Sequence, residues 1–434
     1  MHMPPDPTTG AILAPRESAH QRLWQALGVG SWPLPLHGLP TGTALVGGAV
    51  RDGLIGRLGE RPDLDLVVPG DGVALARQLA QSLGGTAVEL DRERCIGRLV
   101  LKGWTLDFAQ QAGNTLVEDL LRRDFTVNAM ALRLPLGGEG LVLIDPLDGL
   151  GDLERHSLRA LSETNLLEDP LRLLRGVRLA AELGFNLTRQ TWEWIGRHRT
   201  SLGTVAGERV LAELERLVAG AHGARGVELL WDSGLLDVWT RQDSGPCKPP
   251  PPTTHLTWEQ ARLRGLTEEE SQAALPVARL AALLDETTLR ALHASNRLRM
   301  RCRHLRRWRQ RLAALGGTQE QGLKVLPEAE QLELLRQLGR DLPALLLELP
   351  QPGTASALLR WRDSEDPLFH PHPPRDGLAL QKQLGLPPGP KLGDLLAHLT
   401  AERAFGRLPP DPTDEQILTA ANRWLAATGD PRHD

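Results

Sequence analysis

The chain has no tyrosine and only three cysteines, Cys95, Cys247 and Cys302, in 434 residues. The cysteines lie far apart and form no CxxC pair. That argues against a structural zinc site and a disulfide framework, and it fits a reducing cytosol. Lysine is nearly as scarce, with Lys102, Lys248, Lys324, Lys382 and Lys391 alone, so positive charge rests on arginine. A GC-rich genome produces the same bias. The net charge of −4 excludes a global basic signature of nucleic-acid binding, so such a site must come from local arginine clusters. No run of about 18 apolar residues is present, so no membrane span is expected. The N-terminal MHMPPDPTTGAILAPRESAH lacks the charged-then-apolar order of a secretory signal. The expected location is cytoplasmic.

What is present changes character along the chain. Up to about residue 150, short apolar runs broken by Gly and Pro predict strands at Thr43–Val46, Leu64–Val68, Thr86–Leu90, Arg98–Leu101, Thr105–Phe108 and Leu141–Ile144. Helical patterns at Val73–Leu83 and Leu116–Leu132 separate them. After Asp152 the chain reads as helical nearly to its end. The stretch SGPCKPPPPTTH at 244–255 cannot continue a helix and is expected to be a linker or surface loop. A second break falls at Pro371–Pro374.

Four constellations carry chemistry. In LVGGAVRDGLIGRL, Gly47 and Gly48 follow an apolar run and precede a helical pattern. Such a turn lets backbone N–H groups approach a phosphate, with Arg51 and Asp52 just inside the helix. Neither GxGxxG nor GxxxxGK[ST] is present, so any cradle is of another kind. In PDLDLVV, Asp63 and Asp65 are spaced to share one strand face, with Leu64 and Leu66 towards the core. Paired carboxylates repel unless a cation joins them, and oxygen ligands suit Mg²⁺ shared with phosphates. A lone DxD also suits a solvated edge strand. Asp107, in WTLDFAQQ, would supply the third carboxylate of a two-metal phosphoryl-transfer site. EDLLRRDFTVNAMAL (118–132) puts Arg122, Arg123, Asp124 and Asn128 in one helical frame. Asp124 and Asn128 there share a face, and an unpaired Asn128 amide among apolar residues would be costly. Finally, LEDPLRLLRGVRLAAELGF (167–185) is expected to be a helix on which Asp169, Arg172, Arg175 and Arg178 form an i+3 ridge. It reads either as an exposed ion-pair ladder or as a base reader, in which a carboxylate takes a cytosine amino proton and Arg donates to ring acceptors.

Taken in order, LVGGAVRD, DLD, RRDFTVNAMAL, IDPLDGLGDL, EDPLRLLRGVRLAAELGF and GERVLAELERLVAG resemble the motifs of the class II tRNA nucleotidyltransferase and bacterial poly(A) polymerase family. The match spans about 43–220, and PPGPKLGDLLAHLTAERAFGRL (387–408) is similar to the family's tail. The resemblance implies an α+β chain. A small nucleotidyltransferase β-sheet head occupies 41–152, after an N-terminal tail and first helix in 1–40. A helical neck that binds the base follows at 153–220, then a helical body and tail that bind tRNA at 221–434. It also implies site residues. Gly47, Gly48, Arg51 and Asp52 would lie at the triphosphate, Asp63 and Asp65 would bind Mg²⁺, and Asp107 would complete the catalytic set. Arg123, Asp124 and Asn128 would help hold the nucleotide. Glu168, Asp169, Arg172, Arg175 and Arg178 would form the protein template for the base. The substrates implied are tRNA and a nucleoside triphosphate, with no membrane partner.

One departure bears on specificity. Only AQQAGNTLVEDLL (109–121) separates Phe108 from Arg122, where full CCA-adding members carry a long flexible segment. The family's CC-adding members resemble the short form. The favoured expectation is therefore CMP addition from CTP, with a separate A-adding enzyme acting afterwards. The alternatives are full CCA addition from CTP and ATP, with 89–97 supplying the flexibility, A addition or polyadenylation, and a non-catalytic tRNA-binding protein. For RNA, residues 297–311 hold eight arginines and no acid, on an amphipathic pattern with Leu298, Leu305 and Leu312. Arg299, Arg303, Arg306 and Arg307 are the expected phosphate contacts. Trp308 is expected in the core.

Overall fold

The computed structural model describes residues 16–428 except 139, 241–251, 316–321, 348, 350–352 and 388. The tail before residue 16, Cys247 and most of the proline-rich stretch lie outside the described residues. The chain divides into two compact units. One holds the residues up to Val205 with Asp232–Val238, and the other holds Ala206–Trp231 and the chain from Trp239 onward. The expected neck, 153–220, thus contributes to both units. No helix among the described residues is long and apolar enough to cross a membrane.

The first unit is built on a seven-stranded sheet. Its strands are β1 (Ala44–Val46), β2 (Leu64–Val68), β3 (Thr86–Asp91), β4 (Ile96–Leu101), β5 (Trp104–Gln110), β6 (Ala131–Arg133) and β7 (Val142–Ile144), in the order β3-β4-β5-β2-β1-β6-β7. Only β2 and β5 pair in parallel. A helix, Gly72–Leu83, lies on one face. Asp71 caps it by accepting from Val73 N at 2.8 Å and Ala74 N at 3.1 Å, a cap worth about 1 kcal/mol. Its approach to β4 is close: a Cβ on Gly97 would come within 2.7 Å of Gly72 O, so only glycine fits there. Leu64, Leu66, Leu99, Leu106 and Phe108 are buried in this sheet. The segment 89–97 forms the end of β3, a turn and the start of β4.

Two predicted helices break. The frame 116–132 is helical only at Leu116–Leu120, then turns, passes through a 3-10 turn at Thr126–Asn128 and enters β6. Asp124 pairs with Arg175, and the carbonyls of Leu121 and Arg123 accept from Asn165, partners that a continuous helix would not offer. The stretch 167–185 is two helices, Glu163–Glu168 and Leu171–Leu183, with Asp169 extended between them. Pro170 causes the break, because it lacks an N–H and disfavours helical backbone in the residue before it. The second helix buries Leu171, Leu174 and Val177 as expected. It also meets the head motif, since a Cβ on Gly176 would sit 2.8 Å from Phe125 Cζ. A short parallel pair, β8 (Ser157–Leu158) with β9 (Asn186–Leu187), flanks this helix.

The second unit is helical among its described residues. Arg279, on the helix Glu268–Leu283, is wholly buried and donates to Val218 O and Leu256 O at 2.6 Å and Thr254 O at 3.3 Å. Its charge is met by three carbonyls that would otherwise need partners, and burial pushes its guanidinium down to about 10. Helices Gly377–Leu384, Pro390–Ala404 and Asp414–Ala427 close around Leu380, Leu395, Leu399, Ile417 and Leu425.

The arginine-rich segment is the helix Asn296–Ala314, with Leu298, Leu305, Trp308 and Leu312 buried. Four arginines converge on the single carboxylate of Glu286: Arg299 at 2.6 Å, Arg303 at 3.0 Å, Arg290 at 3.1 Å and Arg306 at 3.8 Å. Burial opposes ionisation of Glu286, but hydrogen bonds from Arg299 and Arg303 outweigh it and hold the carboxyl down at about 2. That value lies below the ordinary 4.5, so Glu286 stabilises this unit fully above pH 4.5 and loses its contribution as pH falls towards 2. We expect Glu286→Gln to lower the urea midpoint of this unit at neutral pH, and the gap from wild type to close through that acid window. A gap that stays constant down to the lower limit would refute the assignment.

Candidate functional site

The site is assembled from the sheet outward. In the parallel pair, Asp65 of β2 stands directly beside Asp107 of β5. Paired residues present their side chains on the same face, so the register alone brings two carboxylates together. Burial first, then the Asp107 charge, pushes the Asp65 carboxyl above its usual range, with Arg123 and Arg175 opposing. Asp63 does not sit in the strand. It precedes β2 by one residue and is exposed, and its charge adds to that of Asp107 in raising Asp65, so the Asp65–Asp107 pair has Asp63 beside it. Among the described residues, no three His, Cys, Asp or Glu side chains form a group that could hold a metal ion. Two oxygen-donor carboxylates whose mutual repulsion still raises Asp65 nevertheless fit a hard divalent cation that takes its remaining ligands from phosphate and water.

The glycine turn comes to the same place. Gly47 has φ of 71°, and a Cβ there would lie 3.3 Å from Asp65 Oδ2 and 3.4 Å from Arg123 Nη1. Any side chain would therefore fill the space between carboxylate and guanidinium. Gly48 opens the helix Gly48–Leu54. Arg51 follows on that helix. It is buried, its Nε and Nη2 fork onto Asp52 at 2.7 and 2.9 Å, and its Nη1 donates to Asn128 Oδ1 at 2.7 Å. Its Nη2 also lies 3.7 Å from where a Gly48 Cβ would stand, so Arg51 and Arg123 both border the glycine turn.

From Asn128 the network continues to the neck. Asn128 Nδ2 donates to Asp124 Oδ1 at 3.0 Å, and Arg175 Nε stands 2.7 Å from Asp124 Oδ2. The two residues meet across a turn, not along a helix face. Burial would raise the Asp124 carboxyl, but Arg175, the Asn128 amide and Phe125 N–H together hold it below the usual range. On the neck, Arg172 Nη1 donates to Asn165 O at 2.7 Å and lies 3.9 Å from the exposed Glu168. Asp169 Oδ1 accepts from Leu171 N at 3.3 Å. Arg178 is buried and pairs with Glu182, along its own helix. Asp124, Asn128 and Arg175 are thus linked, and the charge of Arg172 also helps lower Asp124.

Three residues of this network carried no motif signal. Arg98 on β4 grips Asp107 through two hydrogen bonds of 2.8 Å. Asp119 accepts from Arg123 Nη2 at 3.2 Å and from Ala112 N at 3.0 Å. Asn165 donates to Leu121 O and Arg123 O, both at 2.8 Å, and so fastens the RRD turn to the neck. The spacing of Asp119 and Arg123 along EDLLRR is the one hint the sequence offers. Of the candidate RNA contacts, Arg303 and Arg307 keep side chains 47% and 50% exposed, while Arg299 and Arg306 are 20% and 16% exposed and serve the fold. Arg307 also pairs with Glu333 at 2.5 Å.

Residues 43–159 match the poly A polymerase head domain, and 184–242 match the probable RNA and SrmB-binding site of polymerase A. The chain is 33% identical to a CC-adding tRNA nucleotidyltransferase of Synechocystis sp. over 391 residues, which cover 87% of this chain and 92% of the relative. It is 44% identical to an A-adding tRNA nucleotidyltransferase of Deinococcus radiodurans over 209 residues, 47% of this chain and 46% of that one. Its fold resembles a Thermotoga maritima CCA-adding enzyme solved in complex with tRNA, with a TM-score of 0.64 at 21% identity, covering 88% of this chain and 91% of the other. Motifs, sheet register and a relative matched over nearly its whole length agree: this chain is a nucleotidyltransferase of the CCA-adding tRNA nucleotidyltransferase and poly(A) polymerase family.

Proposed function

We propose that this enzyme adds CMP from CTP to the 3′ end of tRNA, stops after the two cytidines, and requires Mg²⁺. A separate A-adding enzyme then completes the end. The observation that carries the specificity is the connector after β5. It is short and tied along its length. Gln111 N donates to Val68 O at 2.8 Å, Ala112 N to Asp119 Oδ1 at 3.0 Å, and Asn114 N to Glu118 Oε2 at 2.7 Å. Thr115 caps the helix that follows. A connector pinned in this way favours one pocket shape, and therefore one base.

In the reaction, the RNA 3′-hydroxyl gives up its proton to solvent and its oxygen bonds to the α-phosphorus of CTP as the bond to the bridging oxygen breaks, and pyrophosphate leaves. Asp65 and Asp107, with Asp63 beside them, would hold Mg²⁺, which when bound would lower the hydroxyl's pKa and offset charge on the phosphates. The Gly47 turn and Arg123 receive the triphosphate. Asp169 accepts the cytosine amino proton and Arg172 donates to its ring acceptors. On the second unit, Arg303 and Arg307 contact tRNA phosphates.

A tRNA lacking its terminal CCA, given Mg²⁺ with CTP, ATP or both, should gain two cytidines and no adenosine. Completion to CCA would discard the CC-only specificity. Addition of A to a CC-ended tRNA without CMP incorporation would favour the A-adding reading, which the Deinococcus relative also supports. Asp65→Asn should lower CMP incorporation by several powers of ten while filter-bound tRNA affinity stays within about twofold. Retained activity in that variant would remove Asp65 from the metal-binding role. Replacing Arg303 and Arg307 by Ala should weaken tRNA binding and reduce the slope of log affinity against log salt by about 0.7–0.9 per lost contact. An unchanged slope would leave these arginines to their carboxylate partners alone.

A further inference from the structure

A single row crosses three strands of the sheet: Arg98 on β4 opposite Asp107 on β5, and Asp107 beside Asp65 on β2. Arg98 Nε donates to one oxygen of Asp107 and Nη2 to the other, each at 2.8 Å. The other guanidinium groups near Asp65 have carboxylates of their own: Arg123 pairs with Asp119 and Arg175 with Asp124. Arg98 instead pairs with a member of the carboxylate pair itself. The pair is open to solvent, with side-chain exposures of 40% for Arg98 and 21% for Asp107.

We infer that Arg98 is a positioning residue for nucleotidyl transfer. Its fork fixes the plane of the Asp107 carboxylate, and its charge limits how strongly Asp65 and Asp107 attract a divalent cation. The inference rests on the proposed metal-dependent function. Two parallel N–H···O bonds hold a carboxylate in one orientation, which a single ammonium does not do. Each carboxylate oxygen still has acceptor capacity left for a further partner. The charge acts separately from the geometry. A guanidinium about one strand spacing away, ~5 Å, offsets part of the carboxylates' attraction for an incoming cation.

The two roles separate in two variants. Arg98→Lys keeps the charge and loses the fork, whereas Arg98→Gln loses the charge as well. Full-length enzyme without RNA or nucleotide is titrated with Mn²⁺, and free ion is read by electron paramagnetic resonance. CMP incorporation is measured in parallel, with melting temperatures as a check on folding. Arg98→Gln should bind Mn²⁺ about three- to tenfold more tightly than wild type, and Arg98→Lys within about twofold of it. Both should lose about tenfold or more in kcat with KM for CTP nearly unchanged, because Asp107 is no longer held in place. A cross-strand pair with only a structural role would leave Mn²⁺ affinity the same or weaker in Arg98→Gln, and either result overturns the charge role. Full kcat in Arg98→Lys overturns the fork role. Absence of Mn²⁺ binding to wild type is a different failure: it removes the metal-dependent reading, and this inference with it.

Discussion

Two negative charges held side by side by a strand register set the terms for everything around them. Parallel pairing of β2 with β5 leaves Asp65 and Asp107 no way to diverge, because moving either would break the ladder that buries Leu64, Leu66, Leu106 and Phe108. The sheet bears the repulsion, and nearby positive charge reduces it. Arg98 does so by contact, whereas Arg123 and Arg175 act from a distance while held by Asp119 and Asp124. Each guanidinium near the site is thus positioned by a carboxylate, at the cost of part of its net charge. What remains is a set of donors and acceptors held in fixed positions, the kind of preorganisation that phosphoryl transfer uses.

Six of the sheet's seven strands were legible as short apolar runs broken by Gly and Pro, whereas β6 was hidden at the end of an apparent helix and β8 and β9 in a stretch that reads as helical; the motif order announced the family. Less legible were the places where tertiary partners override local pattern. The frame from Leu116 to Leu132 reads as one helix, yet its middle residues are pulled out of it. Asn165 takes the carbonyls of Leu121 and Arg123, and Arg175 takes Asp124. No feature within 116–132 signals those partners. The proximity of Asp124 and Asn128 came out right for the wrong reason, since a turn joins them. Arg98 was invisible for another reason. An Arg in an alternating strand looks like any solvated residue until the register places it opposite Asp107.

The same logic extends to the connector between β5 and the RRD turn. Asp119 accepts from Ala112 N on one side and from Arg123 on the other. One carboxylate therefore pins the connector and orients the guanidinium beside the glycine turn. A longer segment in that place would separate the two tasks, because Ala112 would no longer fall within reach of Asp119. Shortness here is a mechanical property, in which the connector and the guanidinium beside the glycine turn share an anchor.

The arginine helix shows why composition is a poor guide to binding. Its eight arginines in an acid-free stretch read as a basic face, but the structure spends several of them on carboxylates from other segments: Glu286, Glu330, Glu333 and Asp341. Four arginines on Glu286 leave a local excess of three positive charges, since one carboxylate neutralises only one of them. That excess, rather than the arginine count, is what a phosphate would meet. Within it, exposure separates Arg303, which is open to solvent, from Arg306, whose Nη1 donates to Leu284 O at 2.6 Å inside the unit. The acid that anchors the cluster keeps the remaining guanidinium groups close together, so Glu286 organises a positive surface although it carries a negative charge.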